Sequence, residues 1–207
     1  MDGVVNKLII LSCSRSGSTF SQKLISSNIK DIEFGHEKIQ LNGGIGWKIG
    51  LTDKMSIKNE NFWLSLDSHI ILHQVRNPLK VFPTIYTHTP RVVAEIKRNL
   101  NIKSKTRLEF AMKYWLKWNR ICQEKAEWTY KVEDLSNDSP ILKKLMDYVG
   151  FNSSSSIIIP KSNTNTRLGL VNKKDISLDN MYDIDTKLTE EIIEFAQCLG
   201  YDLCNRI

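Results

Sequence analysis

Lys7-Leu8-Ile9-Ile10-Leu11-Ser12-Cys13-Ser14-Arg15-Ser16-Gly17-Ser18-Thr19-Phe20 is the stretch around which the rest of the chain is arranged. Leu8 to Leu11 is an unbroken apolar run, short enough for a buried parallel strand, and small hydroxylated residues follow it at once. After Gly17 the sequence reads as a helix start. A strand, a tight Ser/Gly loop and a helix N-terminus aim several backbone N–H groups and the positive end of a helix dipole at one spot, and Arg15 adds a full charge. The expected product is an anion socket made by Ser14, Arg15, Ser16, Gly17, Ser18 and Thr19. A plain strand-to-helix turn could carry the same short pattern, so the choice rests on what lies downstream. An ATP-binding loop would need G-x-x-x-x-G-K-[ST], whose Lys reaches the terminal phosphates, and no Gly-Lys pair occurs here.

The remainder reads as strands separated by helices, which predicts an α/β fold with a central parallel sheet flanked by helices. Phe20, Leu24, Ile25 and Ile29 recur near helical spacing to about Asn28. Ile32 to Phe34 is a second strand candidate, placing Gly35-His36-Glu37 at the sheet edge where ligands bind in open α/β folds. Leu41 to Gly50 holds Gly43, Gly44, Gly46 and Gly50, and reads as loop around a short strand containing Trp47 and Lys48. Asn61 to Asp67 reads as a short helix or turn. His69 to Val75 is a buried strand ending at Arg76-Asn77-Pro78, and Pro78 opens a helix to about Tyr86. Thr87 to Lys105 reads as loop.

A helix is expected from Thr106 to about Glu127, with Leu108, Ala111, Met112, Trp115, Trp118 and Cys122 on its inner side. Trp128 to Val132 is the next strand. Ser139-Pro140 opens a helix to Val149, stopped by Gly150. Asn152 to Asp175 reads as a long loop interrupted by Ile157 to Ile159. The closing helix carries Leu188, Ile192, Ala196 and Leu199 on one face, with Glu190 and Glu191 in its first turn and Gly200 as its stop. No repeat or linker breaks the chain, so one domain over 1–207 is expected.

With 41% hydrophobic and 25% charged residues the composition is that of an ordinary globular protein. The net charge of +6 fits a solvated Lys-rich surface, or attraction of a polyanionic nucleotide or acidic substrate. The short apolar run near the N-terminus does not read as a signal peptide, and no stretch approaches the roughly 20 apolar residues of a membrane span. Cys13, Cys122, Cys198 and Cys204 form no C-x-x-C pair and no spaced Cys/His set, so they read as reduced core thiols of a cytoplasmic protein.

Arg76 and Thr84 form the second anchor, eight positions apart. An Arg at a strand end presents a planar fork to a phosphate, and a hydroxyl two helical turns on can reach the same oxygens. Arg15-Ser16-Gly17-Ser18-Thr19-Phe20 and Val75-Arg76-Asn77-Pro78 with Thr84 together resemble P-loop sulfotransferases. That family's 5′-phosphosulfate loop reads K-[ST]-G-[ST]-[ST] plus an aromatic, and its 3′-phosphate site reads V-R-[ND]-P with a later Ser. Arg15 stands where the family commonly has Lys, and Thr84 where it has Ser. Tyr130-Lys131-Val132-Glu133-Asp134-Leu135 resembles the family's Y-x-x-E-D-L strand end, where the acidic pair fixes loops. Asn163-Thr164-Asn165-Thr166-Arg167 loosely resembles its late nucleotide-closing segment, which implies contacts from Asn165 and Arg167. Gly35-His36-Glu37 with the following glycines and Trp47 is similar to bacterial and phage members whose acceptor site begins with G-H-E.

The resemblance implies a three-layer P-loop-type fold. It implies transfer of a sulfuryl group from 3′-phosphoadenosine 5′-phosphosulfate (PAPS) to an acceptor hydroxyl or amine of a carbohydrate or small metabolite, with no metal. Ser14 to Phe20, Arg76 and Thr84 would then hold the nucleotide, Arg15 and Lys48 would offset charge, and Glu37 or His36 would be the base. At a strand end, His36 and Glu37 are expected on opposite faces, so that only one meets the acceptor. A nucleotide kinase on the same scaffold is the nearest rival, opposed by the absent Gly-Lys-[ST]. A basic nucleic-acid-binding module is the other, opposed by Trp residues on expected core faces and by the lack of a nucleic-acid motif. A metallohydrolase fails because His36-Glu37-Lys38-Ile39-Gln40 lacks the final His of H-E-x-x-H.

Overall fold

The computed structural model describes residues 7–30, 32–52, 55–56, 60–151, 156–161 and 175–204. Its centre is a five-stranded, all-parallel sheet in the order β2-β3-β1-β6-β7: β1 Leu8–Ser12, β2 Gly35–His36, β3 Gly43–Gly46, β6 Ile70–Val75 and β7 Trp128–Lys131. A small antiparallel pair, β4 Leu51–Thr52 and β5 Met55–Ser56, stands apart. The helices are α1 Ser18–Asn28, α2 Glu60–Leu64, α3 Pro78–Ile85, α4 Pro90–Leu100, α5 Arg107–Lys125, α6 Pro140–Tyr148, α7 Leu178–Tyr182 and α8 Thr186–Cys198.

Every residue of β1 is buried, as a strand flanked on both sides and covered on both faces must be. Alternation along it sends Ile9, Leu11 and Cys13 to a core shared with Phe82 of α3, Ile96 of α4, Trp115 and Trp118 of α5, and Phe195 of α8. Leu8 and Ile10 join the opposite core, with Leu24 and Ile25 of α1 and Leu142 and Leu145 of α6. The sheet is therefore sandwiched between two helical layers.

Several local expectations are corrected. The second strand is not Ile32 to Phe34 but Gly35–His36, because those are the residues that pair with Gly44 and Ile45. Trp47 and Lys48 lie just beyond β3, which the glycines themselves form, and they share no strand. The segment 87–105 is no loop: Thr89 accepts from Val92 N–H, Pro90 occupies the first helical turn, and Val93, Ile96 and Leu100 are buried along α4. Glu190 and Glu191 fall beyond the first turn of α8, whose N-cap is Asp185. Ahead of it, Ser177 and Asn180 close a capping box on α7. Cys13 and Cys122 are core thiols as expected, but Cys198 is exposed because α8 turns Phe195 and Ala196 inward instead, and Cys204, beyond α8, is exposed too. No described helix is long and apolar enough to cross a membrane.

Candidate functional site: the loop after β1 and the edge of β2

β1 sits mid-sheet with β3 on one side and β6 on the other. The chain leaves β1 towards β2 and β3, then returns to pair β6 along its opposite edge. The strand order thus reverses at β1, and the carboxyl end of the strands at such a reversal is where open parallel α/β sheets take ligands. The Ser14–Gly17 loop stands at that end, between β1 and α1.

Arg15 (φ 68°) and Gly17 (φ 88°) both adopt left-handed backbone. At Gly17 a side chain is also barred by space, because a Cβ there would lie 2.8 Å from Val132 Cγ2. Gly17 caps α1 without a side chain, and the first turn holds no acid. Helices α3 to α8 are each capped by an Asn, Thr, Ser or Asp side chain. α1 thus keeps its N-terminal N–H groups and dipole uncompensated by any side chain. Close by, Ser16 Oγ, Arg15 Nε and Ser12 Oγ are buried without a hydrogen-bond partner. A buried donor left unpaired is costly unless a ligand meets it.

The loop is held from three sides. From β6, Gln74 Nε2 donates to Ser16 O at 2.7 Å and Arg76 Nη1 donates to Arg15 O at 3.0 Å. From α5, Ser14 N–H donates to Tyr114 Oη at 3.1 Å, Trp118 Nε1 donates to Ser12 O at 2.9 Å and Trp115 Nε1 donates to Arg76 O at 3.3 Å. Just past α3, Thr87 Oγ1 accepts from Arg15 Nη2 at 2.7 Å, and His88 Nε2 lies 2.7 Å from Ser14 Oγ. Burial, with the charges of Arg15 and Arg107, pushes His88 down to about 4, so its imidazole is neutral at physiological pH. Its ring stands 5.9 Å from that of Trp47.

The β2 edge meets this loop. His36 Nε2 lies 3.0 Å from Ser18 Oγ, 3.3 Å from Thr19 Oγ1 and 3.6 Å from Glu37 Oε1. The opposite-face expectation fails because Glu37 has left the strand for left-handed backbone (φ 59°), which swings its carboxylate back beside His36. Gly46 makes room for it, since a Cβ there would lie 2.6 Å from Glu37 Oε2. Lys48 N–H donates to Glu37 Oε2 at 2.9 Å. Burial raises the Glu37 carboxyl from 4.5 to about 7, against the opposing pull of Lys48 and Arg15. Burial and then Lys48 lower His36, and burial lowers Arg15 while Glu37 raises it.

Comparison with protein-family models, curated proteins and solved structures finds no match. The site therefore rests on its own geometry. That geometry brings together Ser14, Arg15, Ser16, Gly17, Ser18, Thr19, His36, Glu37 and Lys48. Phe20 packs beside the core on the α1 side. Thr84 is buried, and its hydroxyl donates to Val81 O at 2.7 Å instead of standing free beside Arg76. Asn165 and Arg167 lie outside the described residues. Glu133 accepts from Asn77 N–H at 3.1 Å and from Tyr201 Oη at 2.9 Å, tying the Arg-Asn-Pro corner to the C-terminal segment. Thr87, His88 and Tyr114 went unread in the sequence. No local pattern flags them, since His88 lies past the end of α3 and Tyr114 is one more buried residue of α5. A separate cleft of about 530 Å³, lined by Lys103, Lys113, Lys117 and Arg120 over Leu116 and Ile121, shares none of these residues.

Proposed function

We propose that this chain is a P-loop-type sulfotransferase that moves a sulfuryl group from PAPS to a hydroxyl or amine of a carbohydrate or small-metabolite acceptor. The observation that carries the reading is the anion-shaped loop after β1, with an uncapped α1 and with Ser16 Oγ and Arg15 Nε buried and unpaired. A carboxyl group held near neutrality stands across from it. When bound, the donor supplies the activated sulfuryl group. The chain's own residues do the rest: the α1 N-terminus and Arg15 compensate charge on the leaving 5′-phosphate, Lys48 adds positive charge beside Glu37, and Glu37 takes the acceptor proton as the new bond forms. Calorimetric titration with 3′-phosphoadenosine 5′-phosphate (PAP) beside ATP with magnesium tests the assignment. Binding of PAP is expected, and preference for ATP with magnesium would reject it in favour of a kinase.

Arg15→Ala is expected to lower turnover more than it weakens PAP binding, because the charge it meets grows in the transition state. Arg15→Lys should keep most activity. Equal losses in kcat and in product affinity would reduce Arg15 to ground-state anchoring.

Arg76→Ala is expected to cost nucleotides bearing a 3′-phosphate about 1.5–3 kcal/mol of affinity. Nucleotide lacking that phosphate is the control, because Arg76 also holds the Arg15 carbonyl. Equal weakening of both nucleotides would assign Arg76 to loop support alone.

A further inference from the structure

We propose that His36 arms Glu37: when an oxyanion occupies the loop after β1, the Glu37 carboxyl proton passes to His36 Nε2, so that the arrival of the donor itself shifts the base to its ionised form. The inference deepens the sulfotransferase reading and rests on it for the identity of the anion.

The geometry is one nitrogen facing competing partners. His36 Nε2 lies within 3.3 Å of the Ser18 and Thr19 hydroxyls and 3.6 Å from Glu37 Oε1. A neutral imidazole nitrogen offers either one lone pair or one hydrogen, so it cannot satisfy all of these at once. Ser18 and Thr19 open α1 at its uncapped end, directly beside the loop that holds the unpaired Ser16 Oγ and Arg15 Nε. An oxyanion settling there accepts from those hydroxyls. In the Nδ1–H tautomer, the one in which Nε2 can receive a proton, Nε2 then loses its donors, and the new negative charge favours an imidazolium. The nearest proton belongs to Glu37.

The transfer balances internally. The Glu37 O–H bond breaks, an N–H bond forms at His36 Nε2, and the electron pair stays on the carboxylate, so the solvent gives and takes no proton. Around Glu37 stand His36, the Lys48 N–H and side-chain charge, and Arg15 from the loop after β1. Around His36 stand Ser18 and Thr19 of α1, Glu37 and Lys48. The two cations stabilise the newly formed carboxylate. The resting pair is prepared for the exchange: burial holds Glu37 up to about 7, while burial and Lys48 hold His36 below its ordinary 6.5. In the donor-free enzyme the carboxyl is consequently about half protonated at pH 7 and mostly protonated by pH 6.

The test uses the full chain labelled with ¹⁵N-His and ¹³C-Glu, titrated at neutral pH with inorganic sulfate and separately with PAP. Saturation with either anion is expected to move the His36 ring nitrogens from the neutral to the imidazolium pattern while the Glu37 carboxyl shifts to its ionised position. The His36 titration midpoint should rise by about 1–3 pH units. Calorimetry in buffers of different ionisation heat separates the source of the proton. At pH 6, below the resting Glu37 value of about 7, wild type should show little net uptake on binding, whereas Glu37→Gln, which has no proton to hand over, should draw one from solvent. PAP bound with His36 still neutral overturns the arming step and leaves the donor assignment standing. The His36 and Glu37 shifts on sulfate without PAP binding uphold arming and overturn the nucleotide donor. Binding of neither anion overturns both.

Discussion

Glu37→Gln is expected to lower turnover by about 10²–10⁴-fold, the usual worth of a positioned general base, while leaving PAP affinity nearly unchanged. Gln keeps the shape and can still accept from Lys48 N–H, so only the proton-accepting function is lost. With burial raising Glu37 to about 7 in the donor-free chain, His36→Asn, which cannot take the proton, should lose activity below about that value, whereas wild type should keep its activity to lower pH. Folding stability should respond to the same group. Below pH 4.5 the carboxyl is protonated in both folded and unfolded chains and no difference arises. Between 4.5 and about 7 the unfolded chain ionises first, so stability drops as pH rises and levels off above the folded value. That loss is on the order of 3 kcal/mol at pH 8. Glu37→Gln removes it and should therefore melt above wild type at pH 8, with the gap closing towards pH 4. A variant with wild-type turnover, or a gap that widens at low pH, would take the base assignment away from Glu37.

The strands and long helices were legible because burial imposes period on composition. Leu8 to Leu11 could only be a covered parallel strand, and Trp115 and Trp118 fell on the inner face of α5, where both are fully buried. The tight turn from β1 into α1 was legible because Gly17 and the small hydroxylated residues around it suit a short passage from a strand to a helix. α4 was equally readable from Thr89-Pro90 and the spacing of Val93, Ile96 and Leu100, but reading 87–105 as a loop passes over that cap and period. What sequence order could not supply was contact across the sheet. Thr87 and His88 meet Arg15 and Ser14, and Tyr114 meets Ser14, across separations of 72, 74 and 100 residues. The turn of Glu37 towards His36 depends on a positive φ that no strand pattern announces. Nor does a hydrophobic period reveal the polar tips of buried aromatics, although Trp115 and Trp118 hold the carbonyls at the ends of β6 and β1.

Gln74 is the sharpest case of such a hidden role, and it carries the largest expected loss of stability. It sits in β6 with no exposure, in a strand otherwise read from its apolar residues. Its amide donates to Ser16 O at 2.7 Å, while its carbonyl oxygen accepts from Ser21 Oγ at 2.5 Å and from Tyr130 Oη at 2.9 Å. One side chain thus ties the loop after β1, α1 and β7 to β6. Leu at this position would match the volume closely but strand a carbonyl and two hydroxyls in the interior, each at about 1–3 kcal/mol. Gln74→Leu should then lose roughly 3–6 kcal/mol in urea denaturation, allowing for partial relaxation, a large share of the about 5–15 kcal/mol available to a domain. Tyr130→Phe removes a single partner and should cost only about 1 kcal/mol. In the Gln74→Leu background that same change should cost less, because the Tyr130 hydroxyl is already stranded there. A loss below about 1 kcal/mol for Gln74→Leu, or additivity of the pair, would mean that water satisfies these groups and that the loop is held by Arg76 and α5 without the hub.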